Sequence, residues 1–220
     1  MTFSILAKDP ETGALGGAAA TGSLCVGGWV LRGDIRAGMS ASQGASPSTF
    51  WGEDVLELMQ GGMAAPVAVS AIVDPDEGKE HRQLSALDRE GGVGAYTGGQ
   101  NTDAKGSRVF KNGIVAGNLL SSDGVLDAMQ TAYETAEGPF AERLLAALRG
   151  AEGAGSDSRG LQAAALLIVT DDAPPLTLRI DYADDPLSSL EALYKRSQTS
   201  PYVDWLSQVP TIKNPDRAPD

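Results

Sequence analysis

The first twenty residues constrain this chain more than any other stretch. From Thr2 to Ala7 the side chains alternate, so that Phe3, Ile5 and Ala7 share one face and Thr2, Ser4 and Leu6 the other. Asp9-Pro10-Glu11-Thr12-Gly13 is turn chemistry, because proline presets φ and glycine accepts positive φ. Leu15 to Ala20 then returns as a strand of small residues, with Gly16 and Gly17 leaving room for close approach. The predicted unit is a β-hairpin that begins at the second residue. Chain ends usually fray, so a strand starting at once implies a terminus that is held in place.

A threonine in second position has a chemical consequence. Removal of Met1 would put a hydroxyl and a free α-amine on one residue. A hydroxyl is a weak nucleophile until a base takes its proton, and an α-amine of pKa about 7.7–8.0 can be that base near neutral pH. A retained Met1 would acylate the nitrogen and remove the base. A Met-Thr start is equally compatible with no chemistry at all.

Composition narrows the classes. The chain has 220 residues, enough for one sizeable core without a second domain. Its net charge of −12 repels phosphate backbones, and no basic patch compensates, so nucleic acid is excluded as a partner. No run of about 18 apolar residues suggests a membrane span, and no basic and apolar leader suggests secretion. A cytoplasmic protein is expected. Cys25, the single cysteine, lies between Leu24 and Val26 and reads as a small core residue, with a reactive thiol as the alternative. One cysteine and one histidine cannot build the usual metal centres, so no metal or cofactor is expected.

Along the chain, Thr21 to Gly28 is a glycine-rich crossing that matches no phosphate-binding pattern. Trp29 to Ser42 reads as extended. Pro47 and Ser48 open a helix through Met59, and Ala64 to Ile72 forms a second. Residues 82–87, 92–97, 108–110 and 113–117 are short strands between turn clusters, expected as one antiparallel block. Two helices follow, one capped at Ser122 or Asp123 and one with Pro139 in its first turn. The apolar run to Val169 suggests a central strand covered on both faces. Leu176 to Tyr182 pairs beside it, and Asp185-Pro186 caps a last helix. Residues 1–198 therefore read as a single α+β domain: a four-layer αββα sandwich of two mostly antiparallel sheets between helical layers. Residues 199–220 form a proline-punctuated tail that wraps the body or a neighbouring subunit, most simply in a homodimer.

Candidate chemistry lies in several fragments. His81, beside Glu80 and Arg82, suits acid–base or orienting work, or a plain surface role. Asn118 ends a strand, where its amide could donate to an oxyanion or merely shape a turn. Asp157 and Arg159, before Gln162, form an ion pair or hold a carboxylate- or amide-bearing ligand. Ser23, Gln43 and Thr97 are polar residues near predicted strand ends.

Taken in order, Met1-Thr-Phe-Ser-Ile5, Glu80-His-Arg-Gln-Leu84, Thr97-Gly98, Gly117-Asn-Leu-Leu120 and Asp157-Ser-Arg-Gly-Leu-Gln162 resemble the domain of unknown function 1028 family. The similarity runs from residue 1 to about 195. It implies an αββα fold like that of N-terminal nucleophile hydrolases, in bacterial and archaeal proteins. Carried over, Thr2 would be the nucleophile of an amidohydrolase that cleaves a side-chain or non-terminal amide of a small molecule. Asn118, His81, Arg82, Gln83, Asp157 and Arg159 would surround it. Members of that superfamily often carry a lysine that tunes the site, and Lys8 is the nearest here in sequence. A ligand-binding protein that has lost the chemistry is the alternative on the same fold.

Overall fold

The computed structural model describes residues 2–156 and 160–219. The opening hairpin forms as expected, from β1 (Thr2–Lys8) and β2 (Leu15–Thr21). A short helix α1 (Val26–Trp29) and a second hairpin follow, β3 (Leu31–Asp34) with β4 (Gly38–Gly44). Helices α2 (Thr49–Gln60) and α3 (Ala65–Val73) come next, and Ser48 caps α2 through its hydroxyl. Strands β5 (Arg82–Asp88), β6 (Val93–Thr97), β7 (Gly106–Phe110) and β8 (Gly113–Asn118) lead into α4 (Gly124–Thr135) and α5 (Phe140–Gly153). The described chain closes with β9 (Ala163–Val169), β10 (Leu176–Ile180), α6 (Pro186–Ser197) and α7 (Tyr202–Leu206).

These strands make two antiparallel sheets. One has six strands in the order β10-β9-β2-β1-β8-β7, and the other has four in the order β3-β4-β5-β6. The opening strand lies inside the larger sheet, paired on both sides, which is why the terminus is held. Alternation along β1 divides its side chains as the sequence indicates. Phe3 and Ile5 enter a core with Leu126, Met129, Leu144 and Leu148 of α4 and α5. Leu6 enters a second core with Met39, Leu87 and Ile114, drawn from both sheets. A third core joins Trp51, Val55 and Val69 of α2 and α3 to Leu84 and Ala86 of β5. Each fully buried Leu, Ile or Phe contributes about 1.5–3 kcal/mol. The small residues of β2 have a packing reason as well. A Cβ at Gly16 would fall 2.7 Å from the Phe140 ring, and one at Gly17 would fall 2.9 Å from Leu6.

Some sequence expectations are corrected. The stretch from Trp29 is not one extended segment: Trp29 closes α1, and a turn at Asp34–Ala37 divides β3 from β4. The strand block at 82–117 does not form one sheet, because β5 and β6 pair with β4 while β7 and β8 join β1. The loop between Thr97 and Gly106 carries the chain from one sheet to the other. Cys25 is half-buried in a left-handed conformation ahead of α1 and is not a core residue. Pro139 stands at the cap of α5, just before its first turn. No helix among the described residues is long and apolar enough to cross a membrane.

Candidate functional site

The register of the two sheets brings two polar rows to the same edge. In the larger sheet Thr2 lies opposite Thr21 on one side and Asn118 on the other. In the smaller sheet Gln43 lies opposite Gln83, and Gln83 opposite Thr97. Hydrogen bonds join the rows across the space between the sheets. Gln43 Nε2 donates to the Thr2 carbonyl at 3.4 Å, and Asn118 Nδ2 donates to Gln83 Oε1 at 3.2 Å. Within the larger sheet, the Thr2 and Thr21 hydroxyls are 3.1 Å apart. Further along the same strands, past the buried Ser4 and Ser85, the facing side chains are apolar, with Leu6, Met39, Leu87 and Ile114. The polar cluster is therefore confined to one end.

Gln83, with 0% of its surface exposed, organises the cluster. Its Nε2 lies 3.0 Å from the carbonyl oxygens of Gly106 and of Gly117 and 2.8 Å from Thr97 Oγ1, its two N–H groups shared among these three acceptors. A backbone carbonyl can only accept, so this end of the amide must be the NH₂ group. The other end, Oε1, must then accept, and both Gln43 and Asn118 turn their NH₂ groups toward it. One buried side chain thus sets the orientation of two others. The arrangement leaves Gln43 Oε1 buried without a hydrogen-bond partner, and Ser4 Oγ likewise.

A cleft of about 320 Å³ opens over Thr2. Thr21, Ser23 and Gln43 line it on the polar side, and Leu24, Val26, Trp29, Val30 and Pro47 supply apolar walls. Thr2 is half-buried at its floor, while Ser23 is exposed at its mouth.

The expected site residues divide into those the fold assembles and those it does not. Thr2, Gln43, Gln83, Thr97 and Asn118 form one connected cluster, and Ser23 lines the cleft beside it. Gln162 adjoins the cluster through its backbone, its N–H donating to the Thr21 carbonyl at 2.8 Å. His81 and Arg82 are not part of it. His81 is exposed in a 3₁₀ turn, and its carbonyl accepts from Ser46. Arg82 alternates outward from Gln83, pairs with Asp76 at 2.9 Å and stacks over Trp51. Hydrogen bonding from Arg82 holds the Asp76 carboxyl below its usual pKa. Neighbouring Glu80 is also lowered, first by the Gly99 N–H and then by the Tyr96 hydroxyl. The Glu80–Arg82 stretch thus anchors loops. Lys8 stands at the far end of β1, roughly 20 Å from Thr2 by strand rise, with its Nζ on the Arg89 carbonyl. Asp157 and Arg159 lie outside the described residues.

Sequence reasoning missed Thr21, Trp29 and Leu24. The first was accessible from the hairpin, because a turn pairing Lys8 with Leu15 necessarily sets Thr2 against Thr21. The other two had no signal, since their position depends on the path of the chain through α1 along the cleft.

Two antiparallel sheets joined at one end by a buried amide and hydroxyl cluster define an α+β protein with a cleft over Thr2. The chain belongs to the family of unknown function DUF1028, whose model matches residues 2–190. It is similar to the crystal structure of protein SPO2555 from Silicibacter pomeroyi, assigned to the same family. The two are 55% identical, the alignment covers 100% of this chain and 96% of that one, and the TM-score is 0.96. Anbu (ancestral beta-subunit) from Yersinia bercovieri aligns over 94% of this chain and 98% of its own, at 12% identity and a TM-score of 0.40. That likeness is too low to carry an argument. No curated protein matches the sequence.

Proposed function

We propose that this protein is an amide hydrolase that uses Thr2 as an N-terminal nucleophile once Met1 is removed. The observation that carries the reading is the placement of Thr2. It is held mid-sheet between Thr21 and Asn118 and lines the floor of a preformed cleft. The three cores, one between the sheets and one on each outer side, support a four-layer αββα order.

In this reading the freed α-amine takes the Thr2 Oγ1 proton as the oxygen attacks the substrate carbonyl. The tetrahedral oxyanion accepts a hydrogen bond from Asn118 Nδ2, which has two N–H groups and spends one on Gln83. A donor of this kind contributes roughly 10²–10³ in rate. The α-ammonium then protonates the departing nitrogen, and water hydrolyses the threonyl ester. Gln83 fixes the donor's orientation, and Ser23 and Gln43 stand where substrate would contact the wall. His81 and Arg82 have no part in this step.

Intact-mass measurement of protein from its native cell should show Met1 absent. Processed protein should hydrolyse members of a small-amide panel, and Thr2→Ala should abolish turnover while Thr2→Ser retains part of it. Protein that keeps Met1 in its native cell, or processed protein no more active than Thr2→Ala, would sink the idea. Either result would favour a ligand-binding protein that shares the site but not the chemistry.

A further inference from the structure

The cleft also restricts what can enter it. Its described lining contains no titratable side chain, and the polar groups at its floor are hydroxyls and an amide. Above them the walls are apolar. Two large hydrophobic residues stand at the mouth with half their surface in water, Leu24 at 52% and Trp29 at 53% exposure. Together they give the cleft an apolar rim that a ligand can cover.

The backbone that presents these residues is braced. A Cβ at Gly27 would lie 2.6 Å from Cγ of Arg179, and one at Gly28 would lie 2.8 Å from its Nη2, so α1 packs directly against that side chain. Arg179 is in turn paired with Asp181 at 2.9 Å, and the Asp181 carbonyl accepts from Cys25 N–H at 3.0 Å. The Arg179 charge is thus spent on Asp181, beneath α1, and does not line the cleft. Trp29 is held at the mouth by a fixed turn.

From this juxtaposition we infer that the cleft binds an uncharged amide carrying an apolar, aromatic-sized group. The amide lies over Thr2 and the apolar group lies against Trp29 and Leu24. A volume of about 320 Å³ is at the small end for ligand sites, which fits one ring and its amide rather than a peptide. A cation entering the cleft would lose water, find no counter-charge among the described lining residues and meet the freed α-amine of residue 2. An anion would meet that amine locally but is repelled by the overall charge of −12. The inference rests on the hydrolase reading only for which bond is cut, and binding tests it separately.

The probes are phenylacetamide, anionic succinamate and cationic 5-aminopentanamide, titrated calorimetrically into processed Thr2→Ala protein so that turnover is irrelevant. Phenylacetamide should bind at least about tenfold more tightly than either charged amide, an aromatic contact and its buried area being sufficient for that factor. Trp29→Ala, whose fold is checked by its melting curve, should lose about tenfold of that affinity. Leu24→Asp should shift preference toward 5-aminopentanamide. Equal or tighter binding of the charged amides, or a Trp29→Ala protein that binds phenylacetamide unchanged, would overturn the proposal. Selective binding with no hydrolysis by processed wild-type protein would uphold the cleft and reject the hydrolase.

Discussion

At the residue scale, Gln83 is the position on which the site turns. Its two N–H groups are shared among two carbonyls and one hydroxyl and its oxygen accepts from two amides, all around a fully buried side chain. Replacing it by Leu keeps the volume but strands these partners, and each buried polar group left unsatisfied costs about 1–3 kcal/mol. Gln83→Leu is therefore expected to lose about 2–4 kcal/mol by denaturant unfolding, and to free Asn118 from its orientation. A loss below about 1 kcal/mol would show that the cluster relaxes around the gap. The residue identities were open to sequence reading. Gln43, Thr97 and Asn118 stand out as polar side chains at strand ends, Thr2 by its place second in the chain, and Gln83 through the family resemblance. Their union was not visible, because it depends on two strands from different sheets meeting across a core.

At the element scale, α5 and α6 are clamped by one arginine. Arg149 reaches both Glu191 oxygens, at 2.7 and 2.9 Å, and also bonds Glu152 and Ser188. Hydrogen bonding from Arg149 holds the Glu191 carboxyl below its ordinary value. Because the folded pKa is depressed, the native state binds fewer protons than the unfolded chain near pH 4. The contribution is present above the unfolded value of about 4.3 and is lost as pH falls through the lower folded value. Both side chains are about a third exposed, so screening reduces the contribution to about 0.5–1 kcal/mol. Glu191→Gln should be destabilised by that amount at pH 7, and its denaturation midpoint should converge with wild type near pH 3. A gap that persists at pH 3 would rule out the charge as its source. Element types were largely readable from period and caps, as at Ser48 and Asp185, whose side chains do cap their helices. Partners were not. The strands from 82 to 117 look alike in sequence, yet the loop after Thr97 sends two to each sheet.

At the scale of the whole molecule, the tail is the least committed segment. Lys213 ties it to Asp171 through a backbone bond at 2.8 Å and an ion pair at 2.8 Å, and Thr211 is buried against the body. Helix α7 instead leaves Tyr202, Val203 and Trp205 exposed. We propose that two chains pair through this apolar surface. Deleting residues 199–220 is then expected to halve the mass measured by light scattering, and a full-length chain that is already monomeric would end the proposal. The sequence by itself determined the opening hairpin, the division of its side chains between two faces, and the polar residues at its open end. These follow from a period of two and a turn of known chemistry, both local properties. Only the tertiary structure decided that Asn118 flanks Thr2 on its other side, that Gln83 orients its neighbours, and that Leu24 and Trp29 frame a cleft above it. Those relations require strands far apart in the chain to share a register, and no local pattern encodes that. Thr2 is the point where both kinds of information meet: the chain order supplies its chemistry and the packing of two sheets supplies its surroundings.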